Sequence, residues 1–505
     1  MAVDANGCEI VKIDSNVTGL AIAEELCLKQ LPATPVWFAQ SPNSYSDFGS
    51  DTTKVARTPI SQSRQNLKGV TADIDATGGF NADFTKTSLN RMIQGFMCSD
   101  ARERFTTQPM NGAPIAVGEV VGSTKTVDVV GASAIGAGTL ALLSGFGVAA
   151  NNGVNKVASS NATEIVFTGA MADEAAPPAT AKIETVGFGF AAADAQITVA
   201  GGVVSLKSTA ATINTIPGLI PGMWVYVDGF VNNKGFARIG QILAKELIFD
   251  ETTWSGVTEA AAGLTVNMYF GTVFKNEATS NLIKMRSYQL ERQLGEGVTG
   301  TQAEYLEGAF ANELTLNIPL SEKLNVDLGF IACDHTFKTG EVGDEVKTGT
   351  RVPFPSDEDA FNSSSDVYRQ KMSIAGQASN RAALFGYVTE ADLTVTNNVS
   401  PIKVIGTMGA VSASFGNFEV TGNITALFTE VAAVQAVRNN ADVGFYSICA
   451  QRNSGFVFDI PLLGLSGGRL NVEKDQPITL PLETAGAQNK NGYTMLYEYF
   501  PYLPF

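Results

Sequence analysis

Residues 416–440 read GNFEVTGNITALFTEVAAVQAVRNN, and this stretch decides the fold class. From Phe418 to Phe428 every second residue (Phe418, Val420, Gly422, Ile424, Ala426, Phe428) is apolar or glycine, whereas Glu419, Thr421, Asn423 and Thr425 between them are polar. A period of two belongs to a strand buried on one face. Thr429 is then placed to accept from the first free amides of a helix carrying Val431, Val434 and Val437, which Asn439-Asn440 can end in left-handed geometry. The spacing predicts a strand that runs directly into a short helix.

The unit recurs. A shift of 344 residues lays Thr77–Thr85 on Thr421–Thr429 without a gap and with five identities in nine. Downstream, Leu89, Met92, Ile93 and Phe96 follow the i, i+3, i+4, i+7 spacing of a helix packed on its strand. The expectation is a duplicated strand–helix unit; the alternative is two unrelated joints of the same kind.

Composition narrows the function class. A chain of 505 residues exceeds one typical core, and its high glycine content with sparse charge suits short strands joined by tight turns. A net charge of −16 argues against a protein that grips nucleic acid by neutralising phosphates. Cys8, Cys27, Cys98, Cys333 and Cys449 are odd in number and widely spaced, which fits reduced thiols better than a disulfide framework. The start MAVDANGCEI lacks a basic and then apolar leader, so no signal peptide is expected, and the apolar run 138–150 is too short to span a bilayer.

Elsewhere the chain reads mostly as strands. Residues 32–50 form an extended, turn-rich arm whose Trp37, Phe38, Tyr45 and Phe48 must lie on another surface, either a neighbouring subunit or their own domain. Composition shifts at about Asn111 and back near Thr272. Inside that segment Gly153, Val157, Glu164, Ile165 and Phe167 recur with the same spacing as Gly235, Ile239, Glu246, Leu247 and Phe249, which predicts two small β units in an inserted domain with its own core. Leu314, Leu316 and Ile318, then Val326, Leu328 and Phe330 after a turn at Ser321–Lys323, predict a hairpin. A polar loop from Thr339 to Asp366 is far longer than usual.

Catalytic chemistry finds no support in these residues. His335 is the only histidine; with Cys333 it could share a metal, but no third ligand is indicated, and an ordinary strand end is the expectation. Val121–Thr126 lacks the Gly-Lys-Ser/Thr order of a phosphate loop, and Gly145-Phe146-Gly147 is no dinucleotide fingerprint. No catalytic, cofactor-binding or metal-binding residue is therefore assigned, and no cofactor.

Several stretches resemble tail tube proteins, or major tail proteins, of bacteriophages with long non-contractile tails. They are LPATPVWFAQSPNSYSDFG (31–49), DATGGFNADFTKTSLNRMIQGF (75–96), DAFNSSSDVYR (359–369), NNVSP (397–401), AVQAVRNNADV (433–443), RLNVEKDQPITLPLET, and FPYLP near the end. The resemblance implies a β-sandwich with a flanking helix; with the duplicated unit and the composition shift, which lies where the resemblance does not reach, the expectation is a mainly β fold of tandem β-sandwich tube domains, each with a short flanking helix, plus an inserted small all-β domain. Residues 1–110 with 272–340 would form the first tube domain, 111–271 the insert, and 341–505 the second. It also implies a virion structural protein, assembled in the host cytoplasm, whose rings stack into a conduit for the genome. Partners would be the chain itself, in a trimeric pseudo-six-fold ring or a hexameric one, with tape-measure, tail-tip and tail-terminator proteins. DNA would pass without specific binding, no membrane would be involved, and the loop 339–366 and arm 32–50 would bridge rings. The alternatives from other classes are a β-rich surface adhesin or carbohydrate-binding module, and an acidic β-sandwich hydrolase, which would need paired carboxylates that cannot be placed.

Overall fold

A computed structural model describes residues 13 and 18–505, apart from 59, 61, 63, 64, 90, 298, 299, 356, 357, 377, 385, 386 and 430. The chain is mainly β, with two short α-helices among the described residues. It folds into two compact units, each built from three pieces of chain: 1–98, 283–364 and 389–424 in one, and 99–282, 365–388 and 425–505 in the other.

The first unit is built around one long strand, Thr301–Ile318. One edge of it is filled by Asn325–Ala332 and then Asp334–Lys338; the other is filled first by Ser287–Glu296 and then by residues 391–396. A strand that exchanges neighbours along its length must bend, and it does so beside Gly308, at a φ of 60°, and at a bulge between Ala311 and Glu313. Beyond these neighbours the antiparallel ladder continues through Gly19–Glu24 to Val36–Gln40 on one side and through Leu67–Asp83 to Pro42–Arg57 on the other. The hairpin read from the alternation is present: Leu314 faces Leu328 and Leu316 faces Val326, all buried, across a turn with Ser321 at φ 60°.

Leu89, Met92, Ile93 and Phe96 are all buried, as their spacing requires, but the helix is the single turn Ile93–Phe96. It lies against the Tyr288 ring, which would meet a Cβ on Gly95 at 2.7 Å. In the second copy the strand Glu419–Leu427 alternates buried and exposed residues as read, and the helix is Ala432–Arg438 with Asn440 left-handed at φ 47°. Thr429 does not cap it: Val431 occupies the cap position in helical geometry, with no side-chain bond, and is exposed. Val431 therefore drops out of the apolar face.

The duplication extends well beyond nine residues. After Leu67–Asp83 and its helical turn come three antiparallel strands, Ser287–Glu296, Thr301–Ile318 and Asn325–Ala332; after Glu419–Leu427 and its helix come Val443–Gln451, Ser454–Gly467 and Thr479–Gly486 in the same succession. The first strand of each trio also pairs antiparallel with an earlier strand, Gly19–Glu24 or Val367–Ile374. One backbone bond is reproduced too: the Phe84 amide donates to the Leu324 carbonyl, and the Phe428 amide to the Ile478 carbonyl, each at 2.9 Å.

In the second unit residues 117–269 form a thirteen-stranded sheet of their own. Val117–Val121, Thr126–Val129, Thr139–Ser144, Gly153–Ser160, Glu164–Phe167 and Lys182–Gly189 make one repeat. Ala195–Ala200, Val203–Ser208, Trp224–Asp228, Gly235–Ile242, Glu246–Thr252 and Asn267–Tyr269 make the other. Both follow the strand order first, second, fifth, fourth, third, sixth, and the two sixth strands pair with each other. The residues that betrayed the repeat occupy equivalent places: Val157 pairs with Phe167 as Ile239 does with Phe249, all buried, and Gly153 and Gly235 hold positive φ. Each first strand has its outer edge covered by the segment that follows the fifth strand, at Val120 with Glu174 and at Ile197 with Glu259. Covering an edge removes the template for pairing with another sheet.

Only the first repeat has a core of its own, centred on Val127, Leu143, Ile165 and Phe167. The core of the second is continuous with Tyr446, Ile448, Val457, Leu496 and Phe500 of the C-terminal strands. Buried charges cross the same boundary. Arg238 bonds Asp250 at 2.7 Å and Asp459 at 2.9 Å, Lys371 bonds Glu251 at 2.7 Å, and Glu498 accepts from the amides of Trp224 and Gly271. An insert that carries its whole core with it is therefore the wrong description of the second repeat.

Candidate functional face: a polar and acidic ladder

Strands with one face in a core must present the other, and in the first unit that outer face is unusual in chemistry. Leu314, Leu316 and Ile318 point inward, so Glu313, Thr315 and Asn317 point outward; Val326 and Leu328 likewise turn Asn325 and Asp327 out. Ala391, Leu393 and Val395 are buried and leave Glu390, Asp392 and Thr394 on the far side, while Val420, Gly422 and Ile424 leave Glu419, Thr421 and Asn423. Asn81 and Asp83 complete the row from the strand that ends at Asp83.

These side chains are laced across the strands. The Asn81 amide donates to Asn325 at 3.0 Å and to Asp327 at 2.8 Å, and the Asn317 amide donates to the same two residues at 2.9 and 2.7 Å. Thr315 and Thr394 hydroxyls meet at 2.9 Å, and Asp392 accepts from the backbone amide of Asn423 at 2.8 Å. Lys323, at the hairpin turn, pairs with Asp83 at 2.7 Å. Asp327 and Asp392 are thus held by neutral amides, which fix the carboxylates in place and leave their charge uncancelled. A shallow groove of about 410 Å³ runs beside them, lined by Ser46, Asp47, Gly79, Glu313, Asp327 and Gly329 among others. Gly79 suits that position because a Cβ there would lie 2.6 Å from Ser46 Oγ and 2.7 Å from the Leu328 carbonyl. Chemically this is a fixed negative surface.

The duplicate face in the second unit differs. Ser466 donates to Glu483 at 3.2 Å, but Pro481 and Ala485 stand beside them where the first copy has a polar row.

The family model of the phage tail tube protein matches residues 15–486. The chain belongs to the phage tail tube protein family. It is a structural protein of the virion tail, with a non-enzymatic role, that self-associates and joins other tail components. Among curated proteins none matches the chain.

Other residues singled out from the sequence of this tail tube protein take structural places. Cys333 is buried, and His335 lies between Ser50 Oγ, 2.9 Å from Nδ1, and Glu304 Oε2, 3.1 Å from Nε2. Burial works to raise the Glu304 pKa, but bonds from His335 and Arg292 outweigh it and hold the carboxyl below its ordinary range. Among the described residues no group of three or more His, Cys, Asp or Glu side chains is placed to hold a metal, and no helix is long and apolar enough to cross a membrane.

The arm 32–50 is not turn-rich; it is largely two strands, Val36–Gln40 and Pro42–Arg57. Its aromatics serve their own unit. Trp37 is fully buried against Tyr305, and Tyr45 and Phe48 both pack on the Arg292 guanidinium. The long loop is also tied down in this unit. Residues Thr350–Val352 pair with Val36–Phe38, Lys347 bonds Glu307 at 2.6 Å, and Phe361 packs on Phe84.

Proposed function

We propose that copies of this chain close into rings that stack as the tail tube, with the ladder face turned toward the lumen as the surface along which DNA leaves. The observation that carries this reading is the ladder itself: carboxylates fixed by amides, with Lys323 at the margin. Phosphates passing such a wall are repelled and slide, whereas a wall of Lys and Arg would bind them by counterion release. DNA therefore passes without specific binding.

Each subunit supplies two copies of the strand–helix–three-strand unit, so three subunits make a ring of six sectors; a hexamer is the alternative. The first tube domain is taken as 1–110 with 272–340, the second as 341–505, and 111–271 as an insert on the outside, which its separate sheet and covered edges support. Assembly would take place in the host cytoplasm, with tape-measure, tail-tip and terminator proteins as partners. A carbohydrate-binding role for the insert has less support. Its exposed large apolar residues, Val130, Val231, Leu243, Val257 and Leu264, include no aromatic ring on which a sugar could stack.

Thiol labelling tests the orientation. With Thr394→Cys in a Cys8→Ser/Cys27→Ser background, a polymer-bearing maleimide should label the free subunit and fail on assembled tubes, while a small maleimide labels both. Equal labelling of tubes by the bulky reagent would place the face outside.

A further inference from the structure

The strands Pro42–Arg57 and Leu67–Asp83 continue beyond the body of the first unit as a two-stranded ribbon, paired as far as Arg57 with Leu67. From Asp51 to Arg57 each residue is exposed on both faces, as are Leu67, Lys68 and Val70 opposite. Val55, Leu67 and Val70 are 57, 46 and 58 % exposed, and Ile60 near the tip is fully so. A lone ribbon of two strands is marginal in water, so this one is built to be covered.

Its charge says by what. In a chain of net charge −16, the described strands of the ribbon, 51–57 and 67–70, carry Lys54, Arg57 and Lys68 against Asp51 alone. Among the described residues Lys54, Arg57 and Lys68 make no ion pair, whereas the acids at the ribbon's root, Asp73 and Asp75, share Lys403. The same unit carries a feature of the opposite kind at residues 340–345. Gly340 at φ 73°, a bond from the Gly340 amide to the Asp344 carbonyl, and the Asp344 carboxylate on Thr339 and Lys338 fix a tight turn. That turn presents Val342, fully exposed, between Glu341 and Glu345, neither of which is in an ion pair among the described residues.

We propose that the basic, apolar ribbon of one copy docks on the acidic, apolar 340–345 turn of a second copy. The contact rests on the tube reading and names the surfaces that join its subunits. Each element joins an apolar centre to charge of the sign opposite to the other's, and among the described residues neither finds an ion-pair partner within its own chain.

The test is charge reversal with rescue. Lys54→Glu/Arg57→Glu/Lys68→Glu and, separately, Glu341→Lys/Glu345→Lys should each raise the protein concentration needed for sedimentable assembly about tenfold or more in low salt. All five changes in one chain should restore assembly. Wild-type assembly should also weaken as salt rises, since exposed charges are screened within about 8 Å at physiological ionic strength. Circular dichroism and melting of the unassembled variants keep folding under control, because the altered side chains are exposed. Reversed-ribbon chains that assemble as readily as wild type would overturn this contact and leave the tube standing. So would a five-fold variant that folds yet fails to recover. Failure of the wild type itself to assemble under any condition would overturn both.

Discussion

Arg238→Met is the perturbation whose cost the structure fixes most closely. Asp459 is fully buried, and both its oxygens are met by the Arg238 Nη1, at 2.9 and 3.2 Å; Arg238 also bonds Asp250 and lies over the Trp224 ring. Burial pushes the Asp459 carboxyl up to about 6 even with the guanidinium beside it. Without Arg238 the carboxylate has no ion-pair partner among the described residues and must either stay charged in a dry site or take a proton. Removing one partner of a buried pair costs about 3–5 kcal/mol, whereas exchanging both for apolar groups is often near neutral. Arg238→Met alone should therefore lower stability by about 3–5 kcal/mol at pH 8, and Arg238→Met/Asp459→Leu should recover most of it. The single variant's deficit should shrink toward pH 5, as Asp459 is then protonated in the fold at little cost. Guanidinium denaturation of the unassembled protein, followed by the fluorescence of buried Trp224, reads this directly. A loss below about 1 kcal/mol at pH 8, or a double variant no better than the single, would refute the claim that the second repeat is anchored to the C-terminal strands by this pair.

Glu498 gives a second pH signature: burial, opposed by Arg104 and by bonds from the Gly271 and Trp224 amides, raises it from 4.5 to about 7. An acid raised in the fold favours folding when protonated. Stability should then be greatest below about pH 4.5 for this group and decline by up to about 3 kcal/mol as pH rises through 7, and Glu498→Gln should flatten that slope in denaturation curves. Gly95→Ala should cost about 1–3 kcal/mol in the melting of the first unit through overpacking on Tyr288. Glu313→Lys/Asp327→Lys/Asp392→Lys should lose the amide bonds that Asp327 and Asp392 accept and give tubes that retain DNA in low salt, seen as co-sedimentation that wild-type tubes lack. Deleting 111–271 should unfold what is left of the second unit, because Asp459, Glu498 and Lys371 would lose partners, a result that limited proteolysis would expose.

How much of this was legible depended on one-sided burial. The alternation at 418–428, 314–318 and 326–330 survives in sequence because one face is in a core and the other in water. The repeat in the insert was visible because Val157, Ile165 and Phe167 and their counterparts all fill cores. Strands exposed on both faces leave no period, which is why Asp51–Arg57 and much of the arm did not read as strands. The missing cap at Thr429 and the single turn at Ile93–Phe96 reflect tertiary packing, which overrides local preference. The buried charges do leave a signal in the sequence: Asp459 and Glu498 each stand alone inside an apolar run, FVFDIPL and MLYEYF. A solitary carboxylate flanked by such residues on a strand has to find a partner somewhere. The ladder face was legible only in pieces, because Asn81, Asn317, Asn325 and Asp392 come together through pairing of distant strands.

A helical reconstruction of assembled tubes tests the central claim most directly. The account requires three chains per ring arranged as six sectors, with Glu313, Asp327 and Asp392 on the inner wall. Six chains per ring, or those carboxylates on the outer surface, would contradict it.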